Sequence, residues 1–202
     1  MPQKEKIMRT VYITILALLL AAPSASLAGE AQFYGDQFRP VASANSCTRA
    51  ENDSSDTAGD DHTWVSYNCP DASDKYFIVH FTIPQNYVHL PLVFTGFDIQ
   101  INAQASDTAG GTVRWVADMG CATTAAPNWD NISYGTAQSG SMTLTTNTTS
   151  KAVTTVASVS PAAAFMAGDT CVVRIMRDGD GTTGTDNYTN TVRAYYVGVT
   201  WP

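Results

Sequence analysis

Three groups of side chains in this sequence have types and spacings that could do chemistry. The first is acidic: Asp178, Asp180 and Asp186 lie in the run D-G-D-G-T-T-G-T-D, where carboxylates separated by glycine turns could wrap a hard cation. Calcium is therefore the one cofactor the sequence leaves open, although no bidentate Glu follows and the same Asp and Gly residues suit an ordinary turn. The second is aromatic: Trp64, Tyr67, Trp129 and Tyr134, with Asp130 and Asn131 beside Trp129, offer flat rings next to hydrogen-bonding groups. Rings of this kind stack on the apolar faces of sugars while amides and carboxylates reach the hydroxyls, so these six residues form a candidate glycan platform. The third is the set of four cysteines, Cys47, Cys69, Cys121 and Cys171.

The cysteines are even in number and none of their spacings is C-x-x-C, so disulfides are expected rather than zinc or thiol redox chemistry. Three pairings are open. We favour Cys47 with Cys69, which brackets a polar stretch, and Cys121 with Cys171, which ties the end of one strand to the start of another. Other chemistry has little support. The histidines His62, His80 and His89 share no metal-ligand spacing, and no G-x-S-x-G elbow occurs. Paired carboxylates for glycoside cleavage would arise by chance in so acidic a chain, so a polysaccharide-active enzyme is the third-ranked reading and no catalytic residue is assigned.

The elements that must position these groups follow an amino-terminal export signal. Lys4, Lys6 and Arg9 precede an apolar run from Val11 to Ala22 and then Ser26-Leu27-Ala28, the pattern of a cleaved secretory signal. That run is too short to span a bilayer, which needs roughly 20 residues. Residues 1–28 are thus expected to be removed, leaving 29–202 as a single secreted, extracellular or periplasmic domain. Cleavage takes away three of the 11 basic residues and one of the 18 acidic ones, leaving 8 against 17, a net charge of −9. Such a balance argues against nucleic acid as a partner, because phosphate binding draws on clustered Lys and Arg.

Within 29–202 the periodicity is that of strands. Phe77, Val79, Phe81 and Ile83 alternate with polar or smaller residues, as do Phe97, Ile99, Ile101 and Ala103, and Val113, Trp115 and Ala117. Gln32 to Val41 reads as an edge strand or an arm on the core, Ser43 to Asp61 as a solvated acidic loop, and Ala162 to Met166 as a single helical turn. Gly168 to Arg177 and Thr191 to Trp201 read as a closing hairpin around Asp178 to Asn190, with Cys171, Val173, Ile175, Tyr195, Val197, Val199 and Trp201 on one apolar side. On its other side Val172, Met176 and Tyr196, diluted by Arg174, make a candidate interface for a neighbouring subunit. Eight to ten short strands predict an all-β, antiparallel two-sheet sandwich, with a jelly roll as its best form.

The run G-D-T-C-V-V-R-I-M-R-D, its Asp/Gly/Thr loop and the final Y-Y-V-G-V-T-W resemble the closing segment of β-sandwich domains in phage tail-fibre, baseplate and other virion surface proteins. The strand-Pro-x-x-Tyr segment from Ile83 to Tyr87 and the strand around Trp115 are similar too, so the resemblance covers about Tyr76 to Trp201. It implies a non-catalytic, often trimeric surface module. The export signal, the four cysteines and the acidic stretch depart from that pattern and point to an exported cellular protein on the same scaffold. The leading expectation is therefore a structural or adhesive subunit that self-associates, with a carbohydrate-binding module as the alternative.

Overall fold

The computed structural model describes residues 29–41, 44–54, 62–71, 73–85, 96–106, 108–122, 132–145 and 151–201. The expected export signal lies outside them, as do Trp129, Asp130 and Asn131. The strands are β1 (Gly29–Tyr34), β2 (Arg39–Pro40), β3 (Thr48–Ser54), β4 (His62–Cys69), β5 (Lys75–Thr82), β6 (Phe97–Ala105), β7 (Gly111–Ala122), β8 (Gln138–Leu144), β9 (Lys151–Val159), β10 (Thr170–Arg177) and β11 (Val192–Trp201). They form two antiparallel sheets packed face to face. The six-stranded sheet runs β3-β4-β11-β6-β9 with β1 also on β11, and the five-stranded sheet runs β2-β5-β10-β7-β8. Among these strands only the β3–β4 and β7–β8 connections stay within one sheet, an alternation compatible with a jelly roll.

Inward residues of both sheets fill the space between them. Phe77, Val79, Phe81, Ile99, Ile101, Ala103, Val113, Trp115 and Ala117 are all buried, as their alternation requires. Two disulfides, Cys47–Cys69 and Cys121–Cys171, reproduce the favoured pairing. The second links directly opposed residues of β7 and β10. Such bonds persist in oxidising compartments and favour a location outside the cytosol. Among the described residues no helix is long and apolar enough to cross a membrane.

Four expectations are corrected. The closing hairpin does not form: β10 pairs β5 and β7 in one sheet, whereas β11 pairs β1, β4 and β6 in the other. The fourteen residues from Asp178 to Thr191 are far longer than a tight hairpin loop, and they are tied to β7 instead, with Asp178 N–H donating to Arg114 O and Asn187 N–H to Thr112 O. Tyr195 does not join the inner face. A bulge between Ala194 and Tyr196 shifts the register, so Val192 and Ala194 point inward before it, Val197, Val199 and Trp201 after it, and both tyrosines are only partly buried.

Thr48–Ser54, expected as loop, is the edge strand β3 paired along β4. Its sequence T-R-A-E-N-D-S lacks apolar alternation because an exposed edge is protected by charge. Ala162–Met166 forms bends, not a helical turn. The expected arm does exist, and it is divided: β1 adds to the six-stranded sheet, a 3-10 turn at Gly35–Gln37 follows, and β2 adds to the edge of the five-stranded one.

Candidate functional site

The predicted residues separate into those used for packing and those that stay available. Tyr67 is core. It sits on the inward phase of β4, against Phe38 and Phe77, and its hydroxyl donates to Phe38 O at 3.0 Å, so it cannot serve as a sugar platform. Tyr134 stacks over the Arg174 guanidinium at 4.5 Å, and Arg174 in turn pairs with both carboxylate oxygens of Asp118 on β7. Val172 and Met176 beside it are buried within the chain. The segment that follows the predicted Trp129 platform lies over this outer face, close enough that a Cβ at Gly120 would overlap the Ile132 side chain. The candidate interface is therefore not one surface: Val172 and Met176 are buried by the chain's own residues, Arg174 stays partly exposed, and Tyr196 stands on the other sheet. Beyond Tyr134 a polar cleft of about 520 Å³ opens between Thr136, Gln138, Ser158, Ser160 and Pro161.

The acidic loop is also rearranged. Asp186 leaves the expected trio: its side chain is fully buried, both its oxygens accept from Arg177, and Arg114 N–H and Tyr188 N–H donate to it as well. The carboxylates that converge are Asp74, Asp178 and Asp180, with ligand atoms within 4.8 Å of one another. Asp178 accepts from the Thr183 N–H and hydroxyl. Asp180 accepts from Thr182 N–H, which holds its carboxyl below the usual value. Burial, with Asp180 and Asp178 beside it, pushes the Asp74 carboxyl above 3.8, and its Oδ1 is buried with no hydrogen-bond partner. Asp74, at the entrance to β5, carries no sequence signal linking it to a loop a hundred residues later.

Arg177 is the buried charge that spacing alone should have flagged. It shares the inward phase of Cys171, Val173 and Ile175, where a charge needs a built environment. Its guanidinium is fully buried and donates to Asp186, Asp71, Cys69 O, Asn190 O and Tyr188 O, with the Tyr188 ring 5.7 Å away. Every part of the fork is used.

The surface that remains open is the outer face of the six-stranded sheet. Here Trp64 of β4 meets Tyr195 edge to face at 5.9 Å, and Tyr34 of β1 meets Tyr196 at 5.5 Å. Register places Tyr34, Tyr196, Asn102 and Val153 in one row across β1, β11, β6 and β9, and Gln32, Gly198, Gln100 and Thr155 in the next. Tyr34 and Val153 are 55% and 53% exposed, two of the three large apolar residues so open among those described. Between them Asn102 Oδ1 is buried with no hydrogen-bond partner. Tyr196 OH donates to Glu30 Oε1 at 2.7 Å; burial, then this hydrogen bond and the nearby carboxylate charge, push its hydroxyl up to about 12. Glycine at position 198 leaves room above the second row that the Tyr196 hydroxyl and the Glu30 carboxylate occupy. Rings that flank amides on a flat strand surface can stack on pyranose faces and bond to hydroxyl pairs. No protein-family model and no curated protein matches the chain.

Proposed function

We propose that this chain is an exported, non-catalytic adhesive β-sandwich that holds glycan chains on the outer face of its six-stranded sheet. The carrying observation is the row Tyr34, Tyr196, Asn102, Val153: open rings and an apolar side chain flank an amide oxygen that has no partner. A buried acceptor without a donor costs about 1–3 kcal/mol, and turning the Asn102 amide outward to a sugar hydroxyl laid on the row would supply the donor. Trp64 keeps its expected role, now with Tyr195 as its neighbour.

A glycan array probed with the secreted form tests this reading. Trp64→Ala and Tyr196→Ala should each weaken the best binder roughly tenfold, about 1.4 kcal/mol. Tyr134→Ala, which alters the polar cleft instead, should leave binding unchanged. A silent array, or binding indifferent to Trp64 and Tyr196, removes the reading. New reducing ends on incubation with the bound polymer would replace it with an enzyme.

Two narrower expectations belong to the same proposal. Self-association, trimeric by resemblance, loses the ground once given by Val172 and Met176, which are buried within the chain; a strict monomer by light scattering at high concentration would end it. Calcium binding, if retained, moves to Asp74, Asp178 and Asp180. The unpartnered Asp74 oxygen favours it, and a calcium-induced rise in Tm that Asp180→Asn abolishes is the test.

A further inference from the structure

On an acidic molecule, nearly every described cation is already engaged. Arg39 and Lys75 donate to backbone carbonyls, Arg49 pairs with Glu51, Arg114 bonds Ser139 and Ser141, Arg174 pairs with Asp118, and Arg177 holds Asp186 and Asp71. Among the described residues Arg193 and Lys151 make no side-chain hydrogen bond or ion pair, although Arg114 Nε is likewise unmet, and both stand on the outer face of the six-stranded sheet. Arg193 is opposite Asn68 on one side and Gln104 on the other, and Gln104 is opposite Lys151. The two positively charged residues therefore stand one strand apart, roughly 10 Å between backbones at the usual strand spacing.

Neither is isolated from the rings. Lys151 Nζ lies 6.0 Å over the Tyr195 ring, whose other neighbour is Trp64. Arg193 lies two residues before Tyr195 on β11, and its Nε is buried and without an acceptor. At the opposite end of the face the charges reverse, with Glu30 and Asp98 on the row of Thr200. Asp98 accepts from Ser158 N–H and Glu30 from Tyr196 OH, so both of these carboxylates are partly engaged.

We infer that the end of this face formed by Arg193, Lys151, Tyr195 and Trp64 selects an acidic sugar unit, so that the ligand is an anionic polysaccharide bearing carboxylate or sulfate groups. This rests on the glycan-binding reading above. A planar guanidinium takes a carboxylate or sulfate in a forked pair, and a nearby ammonium adds charge without fixing geometry. The edge-to-face rings of Trp64 and Tyr195 beside them hold the sugar that bears the anion. On a surface whose net charge repels polyanions, two unpaired cations at one end also set the direction in which a chain lies.

The experiment is a titration of the secreted protein with three polymers: an unbranched polyuronate, its methyl ester, and a sulfated glycan without uronate. The expected result is tighter binding of at least one anionic polymer than of the neutral ester, tenfold or more at low salt and shrinking several-fold as ionic strength rises. Lys151→Gln, an exposed change, should cut the ratio of polyuronate to ester affinity several-fold. Arg193→Gln should do so more strongly. If Arg193→Gln disturbs folding, the exposed Lys151 variant and the salt dependence decide alone. The uronate and sulfate arms tell which anion is read. Equal binding of ester and polyuronate, or a preference that survives Lys151→Gln and high salt, overturns the inference while leaving the glycan reading intact. Failure of all three polymers together with a silent array overturns both.

Discussion

Arg177→Ala should be the most damaging single substitution in the described core, and its size can be worked from the contacts. The Arg177 and Asp186 side chains are both fully buried, and Asp71 is 30% exposed. Removing the guanidinium strands the Asp186 carboxylate in the interior with only two backbone N–H donors, and leaves the carbonyls of Cys69, Tyr188 and Asn190 without their donor. Breaking a buried pair from one side costs about 3–5 kcal/mol, out of a total stability of about 5–15. For a domain of this size each kcal/mol is worth roughly 2–4 °C, so the Tm should fall by about 6–20 °C. Urea and thermal unfolding of the disulfide-intact protein measure this, with Asp186→Asn as a milder partner. Arg177→Met combined with Asp186→Leu should regain part of the loss, because the stranded charge is gone while the carbonyls stay unmet. A loss under about 1 kcal/mol in Arg177→Ala would refute the assignment of Arg177 as the anchor of the crossing loop. The loop matters to the site, since Asn190 and Tyr188 precede β11 directly and set where Arg193 and Tyr195 emerge.

Further outcomes follow from the same contacts. The loops closed by the disulfides span 22 and 50 residues, so Cys47→Ser with Cys69→Ser should cost about 3 kcal/mol and the Cys121 and Cys171 pair about 4 in unfolding experiments. The Asp74 carboxyl is raised by burial and by Asp180 and Asp178, so the folded state holds its proton more tightly than the unfolded one. Stability should therefore decline as pH climbs from the ordinary carboxylate value of 3.8 through the raised one, and Asp74→Asn should flatten that decline and stabilise the neutral protein. Unfolding midpoints from pH 4 to 8 check it; an Asp74→Asn protein less stable at pH 7 than the parent would contradict it. Gly120→Val should disrupt the packing of Ile132 on the outer face of the five-stranded sheet, visible as faster proteolysis of that segment.

Much of the fold was legible because a half-buried strand writes its burial into every second residue. Phe77 to Ile83 and Phe97 to Ala103 needed nothing more. The pairing of the cysteines was legible too, since each bond lies where strands begin or end. What alternation cannot write is which sheet a strand joins. β10 and β11 carry the same apolar phase whether they pair side by side or face each other across the core, and only the length of the Asp178–Thr191 connection argued for the second. A bulge inverts phase locally, which is why Tyr195 was placed inside when it stands beside Trp64 outside. The proposed platform was half legible: Trp64 is outward and Tyr67 inward on the same strand, and that parity was already readable in H-T-W-V-S-Y. Tyr34, Asn102, Lys151 and Arg193 come from four strands scattered along the chain, and nothing local marks them as neighbours.

The most direct test of the glycan-binding face is to titrate isotopically labelled secreted protein with its tightest glycan and map the amide and side-chain shifts. The changes should fall on Trp64 of β4, on Gln100 and Asn102, alternate positions of β6, and on Tyr195 and Tyr196 in the bulged part of β11. Shifts confined to Thr136, Gln138, Ser158 and Ser160 around the polar cleft would contradict the account.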